Sequence, residues 1–331
     1  MKTFVAVLLV SGLMPVVSFE LRAADQPAAT APVAGQPWTL PLPGKCSLDM
    51  VWIPPGSFLM GRPAADADDH KYESPDEWLS RVYIDHQVAE CPQHKVTLTQ
   101  GFWLGKYKVT QAQWFAVTGK TAVQQRDSVI GVASRDLKPY FPVPAEGSDY
   151  PIFYVGWDKA ISFCAAVIER ERAAGHLPLG YEYTLPTEAQ WEYACRAGGT
   201  TLPALSASAA KNDSPKTASN DGTWVVVNQG RPNAWGLYDM LGYGQEPCYD
   251  WYGPYPGGSV VDPTGPALPL PGGWLRAVRG LGLTSASRMY YGGGVTGGMV
   301  FRLALSPILP PNDYAAVQKI QRMKPPLEAA P

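Results

Sequence analysis

The sequence predicts an α+β fold with much irregular structure, and three observations carry that prediction. First, 33 Gly and 33 Pro stand among 331 residues, well above the roughly 12% that these two residues average together. Second, 17% of the residues are charged while 46% are apolar and 11% aromatic. That balance excludes disorder and disfavours coiled coils and helical bundles. Third, two principal helical patterns stand among many short strand patterns broken by turn residues. The 11 Trp and 17 Tyr point to loops held by aromatic packing. The net charge of -2 leaves no basic excess to neutralise phosphates, so nucleic acid is not a partner class this chain suggests.

From the N-terminus, Met1-Lys2 and an apolar run over 4–17, broken by Ser11, Gly12 and Pro15, read as an export signal over 1–23. The run is too short and broken for a membrane span. No Cys follows at the place of a lipid-modified residue, which favours a soluble exported protein, periplasmic in a Gram-negative cell. Residues 24–37 are Ala/Pro-rich and read as a flexible linker. A single folded domain then spans 38–307, and 308–331 is a tail with a short helical stretch over 313–322.

Within the folded part, Met50–Ile53 and Ser57–Gly61 flank Pro54-Pro55-Gly56 and read as a β-hairpin. Residues 96–99 and 102–109 read as strands. Thr110 with Gln113 forms a capping box, and Gly119 closes that helix. Residues 120–149 show no clear period and read as a long excursion. The strongest helix spans 158–174, with Ala160, Phe163, Cys164, Val167 and Ile168 on one side and Gly175 as the stop. Thr187 with Gln190 caps a further helix that runs to Arg196 and ends at Gly198-Gly199.

Five cysteines (Cys46, Cys91, Cys164, Cys195, Cys248) form no CxxC. An oxidising compartment allows one or two disulfides, with at least one Cys unpaired. Cys164 and Cys195 read as small buried hydrophobes. His70, His86, His94 and His176 show no paired metal spacing. The acidic cluster Asp66, Asp68, Asp69, Glu73, Asp76 and Glu77 lacks the Gly and terminal Glu of a calcium loop and reads as a solvated insertion. Glu188 and Glu192 stand four apart on one helix, the spacing of a carboxylate pair, and Arg279 and Arg302 read as buried ion-pair partners.

Several segments occur in a recurring order: MVWIPPGSFLMG (50–61), Pro92–His94, FWLGKYKVTQAQ (102–113), PIFYVGWDKAISFC (151–164), LPTEAQWEYACRA (185–197), PNAWGLYDMLG (232–242), Asp250-Trp251-Tyr252, RAVRG (276–280) and FRLA (301–304). Together they resemble the formylglycine-generating-enzyme-like, or sulfatase-modifying factor, domain family across 48–306. The resemblance implies a C-type-lectin-like fold, and it implies that Glu188 and Glu192 mainly tie the core together. It also implies a copper(I)-binding cysteine pair at positions that fall near Ser285 and Tyr290. Neither is Cys, so copper is not supported and formylglycine-generating oxidase activity is not expected. The family's Asn at a calcium site is replaced by Tyr243, with Glu246 as a remnant. No cofactor is expected, although calcium stays open.

These departures imply a non-catalytic, exported protein that uses the scaffold for protein–protein interaction. The likeness among members without the cysteines runs to periplasmic regulators of type VI secretion. Their role implies, as partner, the periplasmic portion of a membrane Thr kinase. The alternative is an enzyme of different chemistry on the same scaffold, such as siderophore maturation or another oxidation. The expected docking surface is residues 279–291, with Arg279, Ser285, Tyr290 and Tyr291, beside the aromatics Trp235, Tyr243 and Trp274.

Overall fold

A turn at Pro43–Lys45 folds the first two strands onto each other. Gly44 and Lys45 take φ of 72° and 61° there, a region glycine enters without cost. Strand β1 (Pro37–Leu42) pairs antiparallel with β2 (Cys46–Ile53). Gly35 and Gln36 also bond the backbone of Trp52 at 2.9 Å, so the end of the expected linker is part of the fold. The computed structural model describes residues 32–63, 86–131, 141–203, 226–242, 244–270, 273–280, 284–292 and 297–310. The export signal, the acidic cluster, Tyr243 and the tail helix lie outside them.

The hairpin expected over 50–61 does not form. Strand β3 (Gly56–Met60) pairs with β4 (His94–Leu98), whereas β2 pairs with β5 (Phe102–Gly105). Pro54 and Pro55 have no N–H to continue a ladder, and the chain crosses there from one sheet to another. Three sheets result among the described residues. The largest has the order β1-β2-β5-β11-β6, with β6 at Tyr181–Thr184 and β11 at Ala304–Pro307. A second has the order β3-β4-β8, with β8 (Ser259–Val261) parallel to β4. The third has the order β10-β9-β7, built from β7 (Glu246–Trp251), β9 (Arg276–Arg279) and β10 (Met289–Tyr291).

Helix α1 (Gln111–Thr118) carries the expected Thr110/Gln113 box and ends at Gly119 with φ 68°. The excursion after it holds a helix that periodicity does not reveal, α2 (Ala122–Ile130), started by a second box at Thr121/Gln124. Helix α3 (Trp157–Ala173) buries Ala160, Phe163, Cys164 and Val167. Helix α4 (Glu188–Arg196) starts at the Thr187/Gln190 box, and Ala197 takes the left-handed closing position one residue ahead of the glycines.

Alternation along the large sheet splits the core in two. Met50, Leu303 and Leu305 face α1 and α3, where Trp114 stacks on Phe163 at 5.6 Å and Phe301 meets both edge-on. Val51, Ile53, Leu104 and Ala304 face α4. Each large side chain buried this way contributes about 1.5–3 kcal/mol. Helix α4 is thereby fixed against both the large sheet and the β7–β9 sheet, with all nine of its residues buried.

Candidate functional site

Helix α4 places Glu188 and Glu192 one turn apart on the same face. Their exposures of 3% and 0% require partners, because an unpaired buried charge is costly. Strand β9 supplies the first partner. Arg279 donates from Nε to Glu188 Oε1 at 2.9 Å and places Nη1 3.0 Å from Glu192 Oε2. It also donates to the Tyr255 hydroxyl at 2.7 Å and to the Ser285 carbonyl at 2.8 Å. Arg288 holds Glu188 with two bonds of 2.7 and 2.6 Å, the planar fork geometry of a strong pair. Arg196 takes Glu192 at 2.6 Å.

A second cluster joins on the far side of Trp191. Glu246 on β7 accepts from Trp191 Nε1 at 3.0 Å, and lies 3.1 Å from Lys108 Nζ and 3.1 Å from Arg302 Nε. Lys108 also donates to the Asp239 carbonyl, and Arg302 to the carbonyls of Gly105, Lys106 and Tyr238. Burial by itself would raise the Glu188 and Glu246 carboxyls. The cations beside them outweigh it and hold both below the usual carboxylate range.

Calcium does not fit at Glu246. The groups around its carboxylate are an ammonium, a guanidinium and an indole N–H, all donors, where calcium takes six to eight oxygens. A divalent cation there would stand beside two fixed positive charges. Copper fits no better at Ser285 and Tyr290, the residues expected from the sequence to stand near the family's cysteine positions. Ser285 is fully buried, and its Oγ has no hydrogen-bond partner among the described residues. Tyr290 packs on Tyr252 at 5.3 Å between ring centroids. A hydroxyl and a phenol do not replace soft thiolates on copper(I). Burial pushes the Cys195 thiol up to about 12 and raises Cys248 and Cys164 strongly. Cys46, Cys164, Cys195 and Cys248 are free thiols.

Of the described residues expected to dock a partner, two lie in the interior. Arg279 and Ser285 are 1% and 0% exposed, so they serve the interior. Trp235 packs on Tyr193 at 5.0 Å, and Trp274 on Trp251 at 5.8 Å. Tyr290 and Tyr291 are neighbours on β10 and so point to opposite faces. Tyr290 turns to Tyr252, while the Tyr291 hydroxyl lies over Gly156, where a Cβ would come within 2.7 Å of it. Both are half-buried.

Sequence reasoning found Glu188, Glu192, Arg279 and Arg302 as core ties and missed Arg288, Lys108 and Asp250 as parts of the same centre. Asp250 is 2% exposed and accepts the Glu188 backbone N–H at 2.8 Å. For Asp250 the signal was its place in the Asp-Trp-Tyr motif. For Lys108 there was none beyond its position in a motif block.

The sulfatase-modifying factor enzyme 1-like domain matches residues 42–301. The chain is 27% identical over 201 residues to the chaperone protein LppX of Paenibacillus barcinonensis, covering 47% of this chain and 64% of that protein. It is 25% identical over 266 residues to the formylglycine-generating enzyme of Bos taurus, covering 66% and 62%. It is 29% identical over 185 residues to the serine/threonine-protein kinase pkn1 of Chlamydia pneumoniae, covering 53% and 26%. The chain thus spans less than two thirds of each of these relatives. Among solved structures, Treponema denticola variable protein 1 superposes with a TM-score of 0.58 at 23% identity, covering 84% of this chain and all of that one. That likeness concerns the fold, a C-type-lectin-like mixture of helix, sheet and irregular structure.

Proposed function

The chain belongs to the family of the sulfatase-modifying factor enzyme 1-like domain, and from that membership we propose that it is a non-catalytic exported protein that uses the scaffold to bind another protein. One observation carries the reading. Near the positions where the sequence resemblance puts the family's copper-binding thiolates, this chain has Ser285, which is buried, and Tyr290, which packs on Tyr252, while buried ion pairs still brace the scaffold. Fold alone would not support it, since one scaffold hosts many functions.

The finer form of the proposal is a periplasmic regulator that promotes activation of a membrane Thr kinase in a pathway controlling type VI secretion. The N-terminal export pattern supports the compartment. The kinase relatives from Chlamydia, matched over about a quarter of their length, are loosely in keeping with a kinase partner.

The test is to titrate the purified protein against the kinase carrying its periplasmic portion in liposomes and to follow autophosphorylation. A saturable rise in autophosphorylation is the expected outcome; a flat response removes the kinase assignment. Elemental analysis of the same preparation separates the competing reading. Stoichiometric copper or iron would replace the non-catalytic reading with an enzyme of different chemistry on this scaffold.

A further inference from the structure

A cavity of about 760 Å³ opens between the first turn of α4 and the proline-rich stretch 253–266, within the size range of small-molecule sites. Its walls are apolar, with Met60, Pro254, Pro266 and Leu270. Its floor carries Glu188, Asp250 and Arg288, with His94 beside them.

The unused hydrogen-bonding capacity of that floor decides what it can hold. Arg288 commits Nε and Nη2 to Glu188 and Nη1 to the carbonyls of Ala89 and Gly253. The rings of Tyr252 and Tyr255 cover it at 4.5 and 4.1 Å. Both Glu188 oxygens are held by Arg279 and Arg288. His94 Nδ1 lies 3.1 Å from the Pro92 carbonyl oxygen, which can only accept. The ring therefore donates there and keeps Nε2 as an acceptor. Asp250 takes the Glu188 N–H on Oδ2 and has lone pairs to spare. Acceptors are left over, and four of the five N–H donors of the one guanidinium on the floor are taken.

We propose that this cavity binds a primary ammonium group carried on an apolar chain, with the ammonium seated on the Asp250 carboxylate and the chain along the proline and leucine walls. Burial, then the Glu188 charge, push the Asp250 carboxyl up to about 8 against the opposing pull of the Glu188 N–H and Arg288. The other groups around the cavity do not supply the missing charge. Burial lowers the His94 pKa and so disfavours its charged form, Asp262 bonds the Thr99 N–H and hydroxyl, and the Tyr255 hydroxyl accepts from Arg279. An arriving ammonium provides the counter-charge, so near neutral pH its binding displaces a proton from Asp250. The same chemistry comes from a free alkylamine or from a lysine side chain of a partner. The inference stands independently of the regulator reading.

Isothermal titration calorimetry tests it with n-hexylamine, N-acetyl-lysine methylamide, hexanol and hexanoate as probes, in buffers of different ionisation enthalpy. Amine binding should release a proton near pH 6.5 and tighten roughly tenfold or more by about pH 8.5, as the competent ionised fraction of Asp250 grows. Asp250→Asn keeps an oxygen for the Glu188 N–H and should lose affinity roughly tenfold or more. Val261→Trp, at a mouth residue that is 64% exposed, should weaken binding without touching the floor. Tighter binding of the lysine derivative than of hexylamine assigns the site to a protein partner, and the reverse order to a free amine. Absence of amine binding, equal binding by Asp250→Asn, or hexanol or hexanoate binding as tightly as hexylamine would each overturn the proposal.

Discussion

Arg279 meets two carboxylates, a phenol and a backbone carbonyl from a position that is 1% exposed. Arg279→Met removes the cation shared by Glu188 and Glu192 and leaves each buried carboxylate with one arginine, Arg288 or Arg196. The loss should be about 3–5 kcal/mol, the cost of breaking a buried pair from one side, read as a lower urea midpoint. A role in partner capture alone would leave that midpoint unmoved. Asp250 predicts a pH dependence of opposite sense to ordinary acid denaturation. Its carboxyl titrates near 3.8 when unfolded and at about 8 in the native state. Between those values the native state holds the extra proton, so this group's contribution falls as pH rises and is lost above about 8. Glu188 and Glu246, held low, contribute above the usual carboxylate range and lose that contribution on acidification. Unfolding free energies measured from pH 4 to 9 should therefore decline less steeply toward alkaline pH in Asp250→Asn than in the wild type. An unchanged profile would mean that Asp250 is already ionised at neutral pH.

At the scale of the element, three helices begin in the same way, with a Thr side chain accepting from the backbone three residues on and a Gln returning the bond. The box at Thr187 matters most, because it sets the start of α4 and hence where Glu188 stands. Thr187→Ala should cost about 0.5–2 kcal/mol, measured by thermal or urea unfolding. Gln190 joins the cap to the large sheet through a 2.8 Å bond to the Ser306 hydroxyl, so the larger figure is expected here. At the N-terminal end of α3, Arg276 lies between the rings of Trp157 and Trp251, 3.7 and 3.2 Å from their centroids. Buried cation–π contacts of this kind are worth about 2 kcal/mol. They tie α3 to the β7–β9 sheet without any backbone ladder between them.

Across the whole molecule, the two tyrosines of β10 separate stability from docking. Tyr290 faces the interior against Tyr252, and Tyr291 faces the loop at Gly156. Tyr290→Ala should lower the melting temperature by opening space against the core. If Tyr291 anchors a partner, Tyr291→Ala should weaken capture by roughly 1–4 kcal/mol with the melting temperature nearly unchanged. Capture by Tyr291→Ala equal to wild type would move the docking surface off this strand.

The sequence by itself determined what depends on neighbours in the chain. The caps at Thr110 and Thr187, the closure at Gly119, the apolar stripe of α3 and the glycine- and proline-rich loops are all set by residues a few positions apart. The family motifs marked the acids of α4 and the arginines as ties of the interior. The tertiary structure alone decided which charge meets which, because Arg279 reaches Glu188 across 91 positions and Arg288 reaches it across 100. It also decided that β2 and β3 part at Pro54-Pro55, since sheet partners come from distant strands. The Pro-Pro-Gly break marks where the two strands part and not a turn that pairs them. The burial that lifts Asp250, the ammonium of Lys108 beside Glu246 and the opposed faces of Tyr290 and Tyr291 arise only once those distant segments pack. Electrostatic energy depends on distance and dielectric in space, and neither is written in residue order.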